Sequence, residues 1–237
     1  MNDLQKMEQE KSALRWGGLT GMLGGILFIL TFVVVIVGPV GMAELADLEA
    51  LVMRFPDVRA ARVVENSLYL VALILGVPLF LALYRALRGT NLAAALFGSV
   101  LGILGLVVLA AGALPHVATA PISDLYHAPG VTPVDQATLV LIWQAIQGIF
   151  DALLITGLVI VPIGIVALGM AMLGSPAFGK GFGWVSVVLG VLGIVAAAVL
   201  LVDPLSPIAA VGIFALIIFY LVLGWKVFSL SRAPRES

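Results

Sequence analysis

The feature that most constrains this chain is a run of 28 residues, Trp16 to Ala43, without one charged side chain. As a helix, such a run is long enough to cross the roughly 30 Å hydrocarbon core of a bilayer. A cleaved signal peptide has an apolar region of only about 7–15 residues ahead of a small-residue cleavage site, so a retained first helix is predicted. Comparable runs recur down to Trp225. Hydrophobic residues make up 62% of the 237-residue chain and charged ones 11%, which excludes an ordinary water-soluble domain. The 12 Lys+Arg and 13 Asp+Glu nearly cancel, and no basic stripe is present, so no nucleic-acid partner is expected. Without cysteine the chain has no disulfide, thiolate zinc site, iron–sulfur cluster or Cys nucleophile.

Six spans are predicted, at about 16–40, 66–84, 92–114, 148–173, 182–202 and 207–225. The expectation is an all-α integral membrane six-helix bundle over 16–228, with a cytoplasmic segment at 1–15 and a cytoplasmic tail at 229–237. The stretch Ala137–Leu173 holds one charge, Asp151, in 37 residues. As a helix it would be about 55 Å long, nearly twice the core thickness. Counting back ~22 residues from Leu173 places Asp151 at the outer boundary, so 148–173 spans and an outer extension starts at 137. That helix is expected to be continuous from about Thr138 and bent near Pro162, which removes an amide donor. Between helices three and four, Pro115, Pro121, Pro129 and Pro133 predict an irregular loop. The acidic stretch Glu44 to Asp57 is expected to be a solvated surface helix.

Basic residues set the orientation. With the N-terminus inside, inner segments carry Lys6, Lys11, Arg15, Arg85, Arg88, Lys180, Lys226, Arg232 and Arg235, and outer segments only Arg54, Arg59 and Arg62. Both termini are therefore expected in the cytoplasm. Gly17, Gly21 and Gly25 recur at four-residue spacing, as do Gly98 and Gly102, and Ser186 and Gly190. Such spacing lets backbones approach closely, here within the bundle rather than between copies. Two hairpins also look alike, with VLGILGLV in one and VLGVLGIV in the other. Duplication and coincidence of Gly/Val/Leu-rich stretches both account for that.

Polar residues near the membrane are few. Arg62, Glu65, Asn66 and Tyr69 share one face of helix two, and Gln144, Gln147 and Asp151 lie within about 60° of each other on helix four. His116 ends helix three at the same outer depth. Two readings stand. Either these groups form an outward-facing pocket for a small cation, a lipid headgroup or a proton, or they are helix ends wetted by water. In the first reading Asp151 turns inward to the Arg62–Glu65 face and takes a cation, a donor or a proton, with Arg62 near its depth and Gln147 on its own face. Enzyme signatures such as HExxH, Walker A and G-x-S-x-G do not occur. Two histidines, His116 and His127, are too few for a three-His zinc site, although with Asp124 and Glu65 or Asp151 they could form a mixed one. Solvated loop histidines are the simpler expectation, so neither a resident metal nor a cofactor is predicted.

The segments LRWGGLTGMLGGILFIL, ENSLYLVALILGVPLFLALYRALRGTNLAAALFGSVLG and IGIVALGMAMLGSPAFGKGFGWVSVVLGVLGIV resemble an uncharacterised prokaryotic multi-pass membrane family. That family is catalogued as domain of unknown function 4386, and the resemblance covers roughly residues 13–225. It implies bacterial or archaeal origin and a bundle of six or seven helices, and it supplies no catalytic residue.

The sequence thus predicts a multi-pass protein of the cell membrane, in contact with membrane lipids, most simply non-catalytic with a binding, sensing or accessory role. A small proton- or cation-coupled transporter using Glu65 and Asp151 is the alternative. A membrane hydrolase using His116, His127 and a carboxylate comes third.

Overall fold

The computed structural model describes residues 3–37, 48–203 and 206–232. Among them are six helices and no strand: α1 (Asp3–Val37), α2 (Leu48–Leu87), α3 (Leu92–Tyr126), α4 (Pro133–Leu173), α5 (Gly179–Leu200) and α6 (Ala209–Arg232). All six contain stretches long and apolar enough to cross a membrane. This is the architecture of a multi-pass membrane protein. The helices pack chiefly in chain order, each on its neighbours, and α6 returns to α1. The end where α1 begins and α6 ends also holds the α2–α3 and α4–α5 turns, and is called proximal below.

Local chemistry explains several of the helix ends. The Asn91 side chain accepts a hydrogen bond from the Ala94 amide and starts α3. A reciprocal cap starts α4: Thr132 accepts from the Asp135 amide, while Asp135 accepts from the Thr132 amide. Pro133, whose missing N–H costs nothing in a first turn, follows the cap. Gly130 (φ +83°) makes the left-handed bend of the α3–α4 connection.

Between the helices of the bundle, glycine sets the spacing. A Cβ on Gly164 of α4 would stand 2.6 Å from the Gly102 amide nitrogen and the Gly98 carbonyl oxygen of α3. On the other side, a Cβ on Gly18 of α1 would meet backbone atoms of Gly224 and Phe228 in α6. Gly17 packs on Pro78 and Ala82, and Gly190 on Pro162 and Val166. The small-residue rows therefore serve contacts within the chain, as van der Waals packing in lipid favours.

Four helices are longer than a bilayer needs: α1, whose 35 residues begin ahead of the first apolar run, and three that extend at the distal end. The lengths of α2, α3 and α4 are 40, 35 and 41 residues, against 22 in α5 and 24 in α6. At ~1.5 Å per residue, α2 and α4 are about 60 Å long and α5 about 33 Å. The distal parts of α2, α3 and α4 form an extension with its own buried cluster, including Leu51, Phe55, Val58, Ile122, Tyr126 and Trp143. Phe55 meets Trp143 edge-on with ring centroids 5.1 Å apart. Polar ties join the same helices: Arg59 to Asp124 at 2.9 Å, and the His127 ring to the Met53 carbonyl at 3.1 Å.

Several expectations are corrected here. Pro115 and Pro121 do not end helix three, which continues through both to Tyr126. Proline in a helix removes one amide donor and crowds the preceding turn, yet packing on a neighbour can outweigh that cost. In this turn Thr119 Oγ1 donates to the His116 carbonyl at 2.6 Å, and Ile122 and Tyr126 are buried in the distal cluster. His116 is consequently inside α3 rather than at its end. Residues 48–57, read as a separate surface helix, are the first turns of α2, while 44–47 lie outside the described residues. Residues 3–15, read as a segment apart from the first span, are the start of α1. The final residues of that span, beyond 37, lie outside the described residues. The fourth helix is unbroken from Pro133 through Pro162 to Leu173, and so covers the predicted continuous stretch.

Candidate functional site

Twenty-two residues at ~1.5 Å span about 33 Å. Measured from the proximal turns, that distance along α2, α3 and α4 reaches Glu65, Leu114 and Asp151. It also matches the full length of α5. The predicted polar residues therefore gather at one level, where the six-helix bundle gives way to the three-helix extension. Two cavities meet there. One, of about 220 Å³, lies against the extension and is lined by Phe55, Arg59, Arg62, Thr119, Trp143 and Gln147 among others. A second, of about 190 Å³, lies within the bundle among Phe28, Phe32, Tyr69, Phe150, Leu154 and Ile213. Asn66 and His116 line both.

Those two side chains are held across helices. Asn66 Nδ2 donates to the Ala113 carbonyl of α3 at 3.2 Å. The His116 ring stacks on Phe150 of α4, with centroids 4.1 Å apart and planes inclined by 23°. Arg62 and Gln147 flank the same ring. Together they make a polar partition between an outer cavity that Arg59, Arg62 and Gln147 line and a mainly aromatic inner one that Glu65 and Thr31 also line.

Charges at this level are matched locally. Arg62 Nη1 bonds Glu65 Oε2 at 3.0 Å, and both side chains are about four-fifths buried (18% and 19% exposed). Asp151 accepts from Gln147 Nε2 at 2.9 Å, one helical turn away on α4. The expected Arg62–Asp151 pair is therefore corrected: each group finds a partner on its own helix. Side chains three or four residues apart on a helix are already neighbours, so such a pair forms with little reorganisation. Gln144 is exposed and lines neither cavity.

The mixed metal site is not assembled. His116 lies inside α3 and His127 caps its end eleven residues on, about 16 Å away. His127 bonds backbone carbonyls of Ser123 and Met53, and Asp124 pairs with Arg59. Among the described residues no group of three or more His, Asp or Glu is placed to hold a metal ion. Sequence reasoning missed Arg59, Thr119, Trp143 and Phe150. Arg59 is three residues before Arg62, and Trp143 four before Gln147, so extending each polar face by one turn would have found both.

Below this level the described packing closes. Phe80, Leu106, Phe219 and Tyr220 are fully buried. The α3–α4 backbones meet at Gly98, Gly102 and Gly164. Comparison with protein-family models, curated proteins and solved structures returns no match to this chain.

Proposed function

We propose that this is a non-catalytic binding protein of a prokaryotic cell membrane, with its proximal end in the cytoplasm and its ligand site at the distal boundary. The excess of basic residues in the proximal segments supports the orientation. The three segments quoted above support membership of the domain of unknown function 4386 family. The ligand that fits the paired cavities is an amphiphile. Its polar headgroup would lie among Arg59, Arg62, Asn66 and Gln147, and its apolar end among Phe28, Phe32 and Leu154.

One observation carries this reading: the two cavities lie at the distal level, and glycine-spaced backbone contact of α3 with α4 lies beneath them. A transporter using Glu65 and Asp151 needs a polar route onward to the proximal side. The test uses the reconstituted full chain and a pH-sensitive dye trapped in vesicles, alongside thermal unfolding in detergent with a zwitterionic lysophospholipid. Expected are no protein-dependent proton flux, and a saturable rise in Tm that Ile213→Phe, which fills the inner cavity, removes. Proton flux abolished by Asp151→Asn would establish the transport reading instead. A Tm rise that Ile213→Phe leaves intact would refute the site.

A further inference from the structure

At the opposite end of the bundle, a groove of about 410 Å³ runs between α1 and α2. Its floor is Gly17 against Pro78 and Ala82, where the two helices are in direct contact. Two large apolar side chains flank the floor, Trp16 and Leu81, at 63% and 53% exposure. Arg85 and Arg88 close the proximal mouth. We infer that this groove binds an anionic phospholipid, with its phosphodiester on the Arg85–Arg88 pair and an acyl chain along Leu81 and Pro78.

Three observations converge on that occupant. First, the two guanidiniums approach the same atom, Glu10 Oε1, each at 3.4 Å. A charge-assisted bond to a carboxylate is normally about 2.7–2.9 Å, so Glu10 brings the arginines together with loose contacts. One carboxylate between two guanidiniums leaves a net positive charge, and each guanidinium carries five N–H donors. Arg85 and Arg88 remain 39% and 47% exposed. A phosphodiester has the charge and the two free oxygens to take these donors.

Second, the groove lies where a headgroup must lie. Trp16 opens the first charge-free run, and Arg85 closes the apolar stretch of α2. Trp and Tyr collect at membrane–water interfaces, and Trp16 and Tyr84 both line this groove. Third, the surrounding charge has the right sign. The described segments 3–15, 85–91, 174–181 and 226–232 hold eight basic residues and three acidic ones. Basic pockets between helices at such a surface bind anionic headgroups. This inference does not depend on the distal cavities or on what they bind.

The test places the full chain in phosphatidylcholine nanodiscs doped with acyl-brominated phosphatidylglycerol or acyl-brominated phosphatidylcholine. Bromine quenches nearby tryptophan, and the Trp16 share of emission is isolated by comparison with Trp16→Phe. Expected is saturable quenching by phosphatidylglycerol at roughly tenfold lower mole fraction than by phosphatidylcholine. The preference should vanish in R85Q/R88Q, persist in R85K/R88K in weakened form, and persist fully in Lys180→Gln. Equal quenching by the two lipids in the wild-type chain would overturn the proposal, whether or not the variants fold. So would an equal loss of preference in Lys180→Gln, which would mark a diffuse surface charge. Reversal of the quenching by millimolar inorganic phosphate would identify a free-phosphate site and refute the lipid.

Discussion

The six-helix bundle and the distal extension share three long helices, α2, α3 and α4, yet they are held together differently. Within the bundle, backbones touch at Gly98, Gly102 and Gly164 of α3 and α4 and at Gly18 and Gly224 of α1 and α6. The extension segments 48–62, 116–126 and 133–147 contain no glycine. Their contact is made by large side chains such as Leu51, Phe55 and Trp143, with ion pairs and hydrogen bonds around them. Solvent explains the contrast. Lipid tails are as apolar as leucine, so burying leucine gains little there and close approach of small residues does the work. In water the same burial removes apolar surface at about 25 cal/mol per Å². The extension is thus packed by large side chains and polar ties, and the bundle adds glycine-spaced backbone contact to its apolar core.

Substitutions can break or sharpen that contrast. Trp143→Ala should have the largest effect, about 3–5 kcal/mol, because Trp143 is 2% exposed at the centre of the distal cluster. The loss should appear as protease cleavage confined to 48–62 and 116–147, with the bundle intact. Cooperative loss of the whole chain in detergent would mean that the two regions share one core. Next comes Gly164→Ala, expected to cost about 1–3 kcal/mol by forcing α3 and α4 apart. Thermal unfolding should report it while cleavage of the extension stays unchanged.

Smaller effects test the boundary between the regions. Glu65→Gln leaves Arg62 mostly buried without its counter-charge, at a cost of about 1–2 kcal/mol, between the values for exposed and fully buried pairs. Asp151→Asn should change stability by less than about 1 kcal/mol, because an Asn oxygen can still accept from Gln147. A double-mutant cycle should couple Arg62 to Glu65 and leave Arg62 and Asp151 independent. Strong coupling between Arg62 and Asp151 would restore the cross-helix pair that the sequence suggested.

The membrane helices were legible because one property, an uninterrupted apolar run, decides them. The extension was hidden because two signals pointed the wrong way. Pro115 and Pro121 spoke for a loop, and the charges from Glu44 to Asp57 for a solvated surface helix. Burial of Ile122 and Tyr126 against neighbouring helices overrides both, and no local rule contains that contact. At the site the residues were legible, and Gln147 was visible on the Asp151 face, but Arg62 was matched across helices rather than to Glu65. Arg62 with Glu65 and Gln147 with Asp151 already had helical spacing in the sequence. Matching depths across helices drew attention away from Glu65, one turn from Arg62.

Because α1 packs on both α2 and α6, its two neighbours are made at very different times. Gly17 finds Pro78 and Ala82 early, while Gly18 and Gly25 wait for Gly224 and Leu221. At about 5–20 residues per second, the chain from Val37 to Arg232 takes roughly 10–40 s to synthesise. During that interval one glycine face of the first helix stands open in the bilayer. The arrival of α6 closes the ring, so a chain truncated before that helix would present the α1 glycine face that Gly224 and Leu221 cover in the finished protein.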